Sequence, residues 1–316
     1  MLLLSIVVPF LNEKDTVEAF ADFARRLTVD VGNRFDLAVE IVLVDDGSTD
    51  DSVARYRRAM TGDWRIVELS RNFGKEIALF AGMEAARGDF ILPMDADLQH
   101  PYDVCLQLIE TLLADDQLDV VYSVRDDRSA ESLTKKTTAR LFYRLINLRQ
   151  RFLIPEDAGD FRIMRRAFAD AFVQVRDRRR FNKGLYAWTG FRQKGISYTP
   201  DQRVAGTTKW GTLSLLTLLI EGITSFSALP LRLISAIGAL VGILGVFYGA
   251  KIIIEALLFG TDVPGFPSLM SAISVLGGFN LMLLGLLGEY LWVAVSEVKD
   301  RPIYFVRRIH TPDRSE

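Results

Sequence analysis

One cysteine, Cys105, and two histidines, His100 and His310, are all that the 316 residues contain of these types. The lone thiol excludes an intramolecular disulfide and fits a reducing compartment. Two histidines leave no His-rich site, so a metal ion bound here must be held by oxygen. No G-x-G-x-x-G follows the first apolar run and no G-x-x-x-x-G-K-[ST] occurs, which removes the usual support for dinucleotide binding and P-loop phosphate transfer. Charge of one sign is not in excess: the net charge is -2, and nothing suggests a nucleic-acid partner, although basic residues gather from Arg125 to Arg151 and from Arg176 to Arg180. The opening MLLLSIVVPFLNE has no basic n-region, and its apolar run is too short for a signal peptide or a span, so it reads as a first strand. From Trp210 to Val298 charge itself almost vanishes. That shift is the main boundary in the chain.

What is present is apolar: 49% of residues are hydrophobic, high for a purely soluble enzyme. The runs LLSIVVPF, VEIVLVDD, WRIVELS, DFILPMD and LDVVYSV read as strands buried on both faces. Helical patterns lie between them, roughly Glu13 to Thr28, Asp50 to Met60, Lys75 to Ala86 and Pro101 to Leu113. This alternation predicts an open α/β sheet, mixed but mostly parallel. Ligands bind such sheets beyond the carboxyl ends of the strands, and PFLNE, DDGSTDD, SRNFGKE and DADLQHP all fall there.

Beyond the boundary, Leu233 to Ala250 and Ser268 to Gly288 are uncharged and each long enough to cross a bilayer. The link FGTDVPGFP has no Lys or Arg, whereas Lys209 and Arg232 precede the pair and Lys299, Arg301, Arg307 and Arg308 follow it. By the positive-inside rule both ends of the pair are cytoplasmic. The intervening WGTLSLLTLLIEGITSFSALP carries Glu221 mid-run and Pro230 at its end, and reads as an amphipathic helix in the membrane surface. The expected organisation is a cytoplasmic catalytic domain (1–208), an interfacial region (209–231), a two-helix transmembrane domain (232–298) and a basic cytoplasmic tail (299–316). Gly238, Gly242, Gly245 and Gly249 let helices approach closely, either within one chain or in a homo-oligomer.

Asp95 and Asp97, one residue apart after a strand, point the same way on extended backbone and can address one metal region. Magnesium and manganese take oxygen ligands, often one or two carboxylates completed by phosphate oxygens and water. Asp97 is the better direct ligand, with Asp95 reaching ribose or a metal-bound water. Asp45 and Asp46 with Gly47 fit a nucleotide contact and equally a plain β-to-α turn capped by Ser48.

Taken together, VVPFLNE, VLVDDGSTDDS, SRNFGKEIALFAGMEAARGDFILPMDADLQHP, DAGDFRIM, GTTKW and GLLGEYL resemble the polyprenyl-phosphate glycosyltransferases of glycosyltransferase family 2. Within that family the resemblance is to the bactoprenol glucosyltransferases, with dolichol-phosphate mannose synthases and aminoarabinose-transferring enzymes as relatives. The resemblance covers nearly the whole chain and implies a GT-A type fold in the cytoplasmic (inner) membrane. It implies that Pro9, Asn12, Glu13 and Asp45 hold uridine and ribose, that Lys75 belongs to the donor site, and that Asp95 and Asp97 form the metal-nucleotide motif with Gln99 near a Mg2+ or Mn2+ ion. Asp160 is similar to the family's catalytic carboxylate, with Asp157 a second claimant, and Arg203 to the arginine bridging donor and acceptor phosphates. Relatives carry Gly-Glu-Ser-Lys where this chain has Gly206, Thr207, Thr208 and Lys209, so one carboxylate is missing from that loop.

An anionic acceptor at a membrane surface needs cations close to the lipid. Arg125, Arg128, Lys135, Lys136, Arg140 and Arg144 lie on a loop leading into an amphipathic helix, and Arg125, directly after a strand, is the first acceptor-phosphate candidate; Arg128, Arg140, Arg203 and Lys209 complete the set. The expected reaction is inverting transfer of a hexose from a nucleotide sugar, UDP-glucose first, to undecaprenyl phosphate. GDP-mannose, UDP-N-acetylglucosamine, UDP-galactose and a UDP-aminoarabinose derivative are alternative donors. A non-catalytic lipid-carrier scaffold is the rival of another class, and a processive polysaccharide synthase is disfavoured because Q-x-x-R-W is absent.

Overall fold

Leu2–Phe10, apolar at every position but Ser5, forms the first strand, β1. The computed structural model describes residues 1–125, 154, 158–177, 180, 182–198 and 265–312, with scattered positions between 237 and 258. Parallel to β1 run β2 (Leu37–Asp45) on one side and β4 (Phe90–Pro93) on the other, and β3 (Asp63–Leu69) lies parallel to β2. Then β6 (Ala158–Arg165) pairs antiparallel with both β4 and β5 (Val120–Arg125), β7 (Gln193–Tyr198) runs parallel to β5, and β8 (Val306–His310) pairs antiparallel with β3. The order is β7-β5-β6-β4-β1-β2-β3-β8. It is the expected open α/β sheet, with the parallel strands at its centre.

The helices cover both faces. Leu4, Ile6, Val8 and Phe10 of β1 are buried in one core with Phe20, Ala24 and Leu27 of α1 (Val17–Phe35) and Leu108, Ile109 and Leu112 of α4 (Tyr102–Leu113). Each Val, Leu, Ile or Phe side chain among them contributes about 1.5–3 kcal/mol on burial. α2 (Ser52–Ala59) adds Tyr56, and Cys105 of α4 is fully buried, which pushes its thiol up to about 12 and leaves it unreactive. On the other face lies α3 (Lys75–Ala85), between the sheet and α5 (Arg166–Gln174), with α6 (Asn182–Trp188) packed on β6. The fit of α3 on the sheet depends on one glycine. A Cβ on Gly82 would stand 2.3 Å from Val7 Cγ1 and 2.9 Å from Val44 Cγ2. Gly82→Ala is therefore expected to cost about 1–3 kcal/mol, as overpacking does, and the double variant with Val7→Ala should recover part of that loss in denaturant melts.

At the amino end of these strands Glu40 is buried, and its charge is met on all sides. Its carboxylate accepts from Ser5 Oγ (2.5 Å), Arg87 N (2.6 Å) and Arg87 Nε (2.8 Å), with Arg65 Nη2 at 3.3 Å. Burial acts to raise its pKa, but Ser5, Arg87 and Arg65 outweigh it and hold the carboxyl below its usual value.

The segment read from sequence as a basic tail contributes β8. Ser70 N donates to Phe305 O at 2.8 Å, Tyr304 Oη donates to Glu84 Oε2 at 2.7 Å, and the Tyr304 ring meets Phe80 edge-on at 6.2 Å. His310, nearly buried, contacts Glu68 across the β3–β8 pair. Tyr304→Phe should lower stability by about 1.5–3 kcal/mol, since its acceptor is a carboxylate; a thermal melt of the purified chain measures it.

The chain divides into two compact units, Met1–Leu216 with Pro302–Glu316, and Thr217–Arg301. The second contains α7 (Phe266–Val298), 33 residues and about 50 Å long at 1.5 Å per residue. Within it Leu276–Val298 has a mean hydropathy of 1.6 and is not buried, and Leu281, Leu284, Leu291 and Trp292 are exposed. Among the described residues it is the one helix long and apolar enough to cross a membrane. The expected second span, Ser268 to Gly288, falls inside α7, which continues ten residues further. Of the expected first span, the positions described between 237 and 248 are helical. The interfacial segment 209–231 lies outside the described residues.

Candidate active site

The carboxyl ends of β1, β2 and β4 and the start of α3 surround a cleft of about 320 Å³, lined by Pro9, Phe10, Leu11, Glu13, Asp46, Asn72, Gly74, Lys75, Asp95, Ala96 and Asp97. Of the sequence-expected donor residues, Pro9, Glu13, Lys75, Asp95 and Asp97 meet here. Lys75, the first residue of α3, places Nζ 2.6 Å from Asp95 Oδ1, while His100 Nε2 stands 3.7 Å from Asp95 Oδ2. Burial works to raise the pKa of Asp95; His100 and Lys75 more than offset it and hold the carboxyl well below the usual range. Asp95 is thus an anion with a cation already beside it.

Asp97 is anchored within its own loop. Its Oδ1 accepts from Gln99 N at 3.2 Å and its Oδ2 from Gln99 Nε2 at 2.5 Å, around Leu98 in the left-handed conformation (φ 56°). Of the expected metal set, Asp95 and Asp97 line the cleft, and Gln99 is bonded to Asp97. Among the described residues no three His, Cys, Asp or Glu side chains gather as a metal cage. The donor set suits a hard cation that takes two carboxylates and completes its shell with phosphate oxygens and water.

The floor and rim are set by turns. Asp46, 4% exposed, accepts from Phe73 N (2.7 Å) and Gly74 N (2.9 Å), so a carboxylate after β2 holds the loop that enters α3. Asp45 is equally buried and accepts from Ser48 N at 2.9 Å, the capped-turn arrangement. Desolvation raises both carboxyls, only partly offset by the Ser48 hydroxyl and N–H at Asp45 and by the Phe73 and Gly74 N–H groups at Asp46. Asn12, at φ 55°, takes Thr49 N (2.8 Å) and Asp50 N (3.3 Å) on its amide oxygen, and its own N–H donates to Ser48 Oγ at 2.9 Å. Asn12 and Asp45 thus brace the loops that follow β1 and β2.

Asp160 stands in β6, the antiparallel neighbour of β4, and Arg125 is the last residue of β5. Asp157, Arg128, Arg140, Arg203 and Lys209 lie outside the described residues. The residue that sequence reasoning passed over is His100, set aside as one of only two histidines. Its ring lies flat on Phe161 of β6, centroids 4.0 Å apart at 18°, and faces Asp95. The signal for it was position alone, three residues after Asp97 in DADLQHP.

Parallel strands whose carboxyl ends, together with the start of α3, bring two carboxylates and a lysine to one cleft define an α/β protein with a charged cleft at the edge where such sheets take ligands. The chain belongs to glycosyl transferase family 2, whose pattern matches residues 5–173. It is 41% identical to an uncharacterized glycosyltransferase of Synechocystis sp. over 96% of this chain and 94% of that one. It is 40% identical to a prophage-derived bactoprenol glucosyl transferase of Shigella flexneri over 97% of this chain and 98% of that one. Among solved structures, glucosyl-3-phosphoglycerate synthase from Mycobacterium tuberculosis, in complex with Mn2+, uridine diphosphate and phosphoglyceric acid, aligns with a TM-score of 0.42 at 20% identity over 71% of this chain and 76% of that one.

Proposed function

We propose that the protein transfers a hexose from a nucleotide sugar, UDP-glucose first, to a polyprenyl phosphate, undecaprenyl phosphate first, at the cytoplasmic face of the membrane. The observation that carries this reading is the Asp95, Asp97 and Lys75 cluster at the strand ends. The 40% identity to a bactoprenol glucosyl transferase supports the acceptor class, and the long apolar α7 supports a membrane site. The proposed topology keeps two spans, the second within α7, with the catalytic unit and C-terminus cytoplasmic.

The acceptor needs little activation. A phosphate monoester has a second pKa of about 6, so at neutral pH it is largely dianionic and already a nucleophile. The chain's task is to hold the sugar's anomeric carbon in line with an acceptor oxygen and to favour departure of the nucleoside diphosphate. A divalent cation, Mg2+ or Mn2+, when bound supplies positive charge to the departing diphosphate; Asp95, Asp97 and Gln99 would hold it. Lys75 adds a cation at the same place. In this reading Arg125, Arg128, Arg140, Arg203 and Lys209 take the acceptor phosphate, Pro9, Asn12, Glu13 and Asp45 shape the uridine and ribose site, and Asp160 orients substrate, since no general base is required.

A transfer assay on detergent-purified protein tests this, with undecaprenyl phosphate, magnesium or manganese, and radiolabelled UDP-glucose, UDP-galactose, UDP-N-acetylglucosamine and GDP-mannose in parallel. Label entering the organic phase from UDP-glucose, abolished by EDTA, is expected; none from any donor refutes the reading. Direct displacement inverts the anomeric centre, so proton NMR of the lipid-linked product should show the β configuration from an α-linked donor. An α product would exclude the single-step route.

A further inference from the structure

We propose that His100 is a positioning residue that sets the Asp95 carboxylate for the nucleoside-diphosphate end of the donor, an inference that rests on the function proposed above. The ring is held by two contacts and is largely shielded from water. It lies on Phe161, itself 1% exposed, whose carbonyl accepts from Ser123 Oγ at 3.0 Å; its side chain is only 13% exposed; and Nε2 stands 3.7 Å from Asp95 Oδ2. The other ring nitrogen, Nδ1, is buried and has no hydrogen-bond partner among the described residues. Packing alone does not account for this choice. A phenylalanine would stack on Phe161 equally well and would not bury a nitrogen without a partner, which costs stability.

What only histidine provides at this position is Nε2 facing Asp95. Lys75 draws one oxygen of that carboxylate toward α3 at 2.6 Å, and His100 stands against the other oxygen from the side of β6. The carboxylate is held between two polar groups on separate elements, and its plane is set before a ligand arrives. Groups that orient metal-region carboxylates in this way are typically worth about 10–100-fold in metal affinity.

The test uses the full-length chain in detergent with UDP and manganese as probes, read by calorimetry. In His100→Phe the stack remains and Nε2 is lost. Its melting temperature should match or exceed wild type, while manganese-dependent UDP binding weakens about 10–100-fold. Because the effect passes through Asp95, His100→Phe in an Asp95→Asn background should weaken binding no further than Asp95→Asn alone. Should His100→Phe fail to fold, His100→Leu enters the same comparison. Wild-type affinity and manganese half-saturation in the variant, or additive losses in the double variant, overturn the proposal. Absence of UDP binding by wild type with either metal is a separate result, which refutes the nucleotide-sugar reading and this inference with it.

Discussion

Asp97→Asn is expected to reduce sugar transfer by roughly a hundred- to a thousandfold, the several kcal/mol that charge stabilisation by a bound cation supplies, while the protein folds as before. Asp97 is partly exposed, and its structural bonds are local, to Gln99 N and Gln99 Nε2. The asparagine keeps one carbonyl oxygen to accept the Gln99 backbone N–H, so the turn around Leu98 survives. Loss of the side-chain bond costs about 1 kcal/mol, which moves the melting temperature by roughly 2–4 °C in a domain of this size. What disappears is one of two negative charges offered to a cation. Transfer at the wild-type rate in the organic-phase assay would remove Asp97 from the metal set.

That cleft is largely legible in the amino-acid sequence, because buried parallel strands leave a simple trace. β1 and β4 are apolar almost throughout and β2 is broken only by Glu40 before its closing Asp45, so the polar residues that follow stand out against them, while β3, DWRIVEL, shows its core residues Trp64, Ile66, Val67 and Leu69 among charged ones. The strands that escape notice are those where the rule fails. β6, AGDFRIMR, mixes apolar residues with Asp160, Arg162 and Arg165, and Arg162 is 1% exposed with its guanidinium 3.5 Å over the Tyr186 ring. A buried cation in a strand looks like a loop residue until its aromatic partner is seen. β7, QKGISY, and β8, VRRIH, carry few apolar residues because they sit at the two ends of the sheet, where pairing and not burial places them.

Helix ends show the same division. The pattern expects α1 to stop near Thr28, yet it runs to Phe35, because Val31 is fully buried in the core and repays carrying Gly32 inside the helix. Asp36, at φ 54°, closes it with its N–H on Gly32 O at 3.2 Å. Within the site, Asp95 and Asp97 can be read from spacing. Asn12 and His100 cannot, since the partners that define them, Thr49 and Phe161, are distant in sequence.

The second large effect is expected at Gly47, where the β2 turn meets the loop that Asp46 holds. Gly47 has φ +79°, and a Cβ there would fall 2.6 Å from both Arg71 C and Asn72 N, which are backbone atoms with no rotamer to yield. Gly47→Ala therefore carries two penalties, about 1–2 kcal/mol for an alanine in the left-handed region and about 1–3 kcal/mol for displacing packed chain. The displaced chain is the stretch whose Phe73 and Gly74 N–H groups donate to Asp46, and Asn72, Gly74 and Lys75 line the cleft. Stability should fall by about 2–5 kcal/mol in denaturant melts, and the KM for the sugar donor should rise in the protein that remains folded. Gly190→Ala separates the two penalties: Gly190 has φ +74° with nothing within 4 Å of the place a Cβ would take, so it should lose only the conformational share. Equal destabilisation at both positions, with an unchanged KM in Gly47→Ala, would mean that the 71–74 loop moves aside freely and does not hold the cleft in shape.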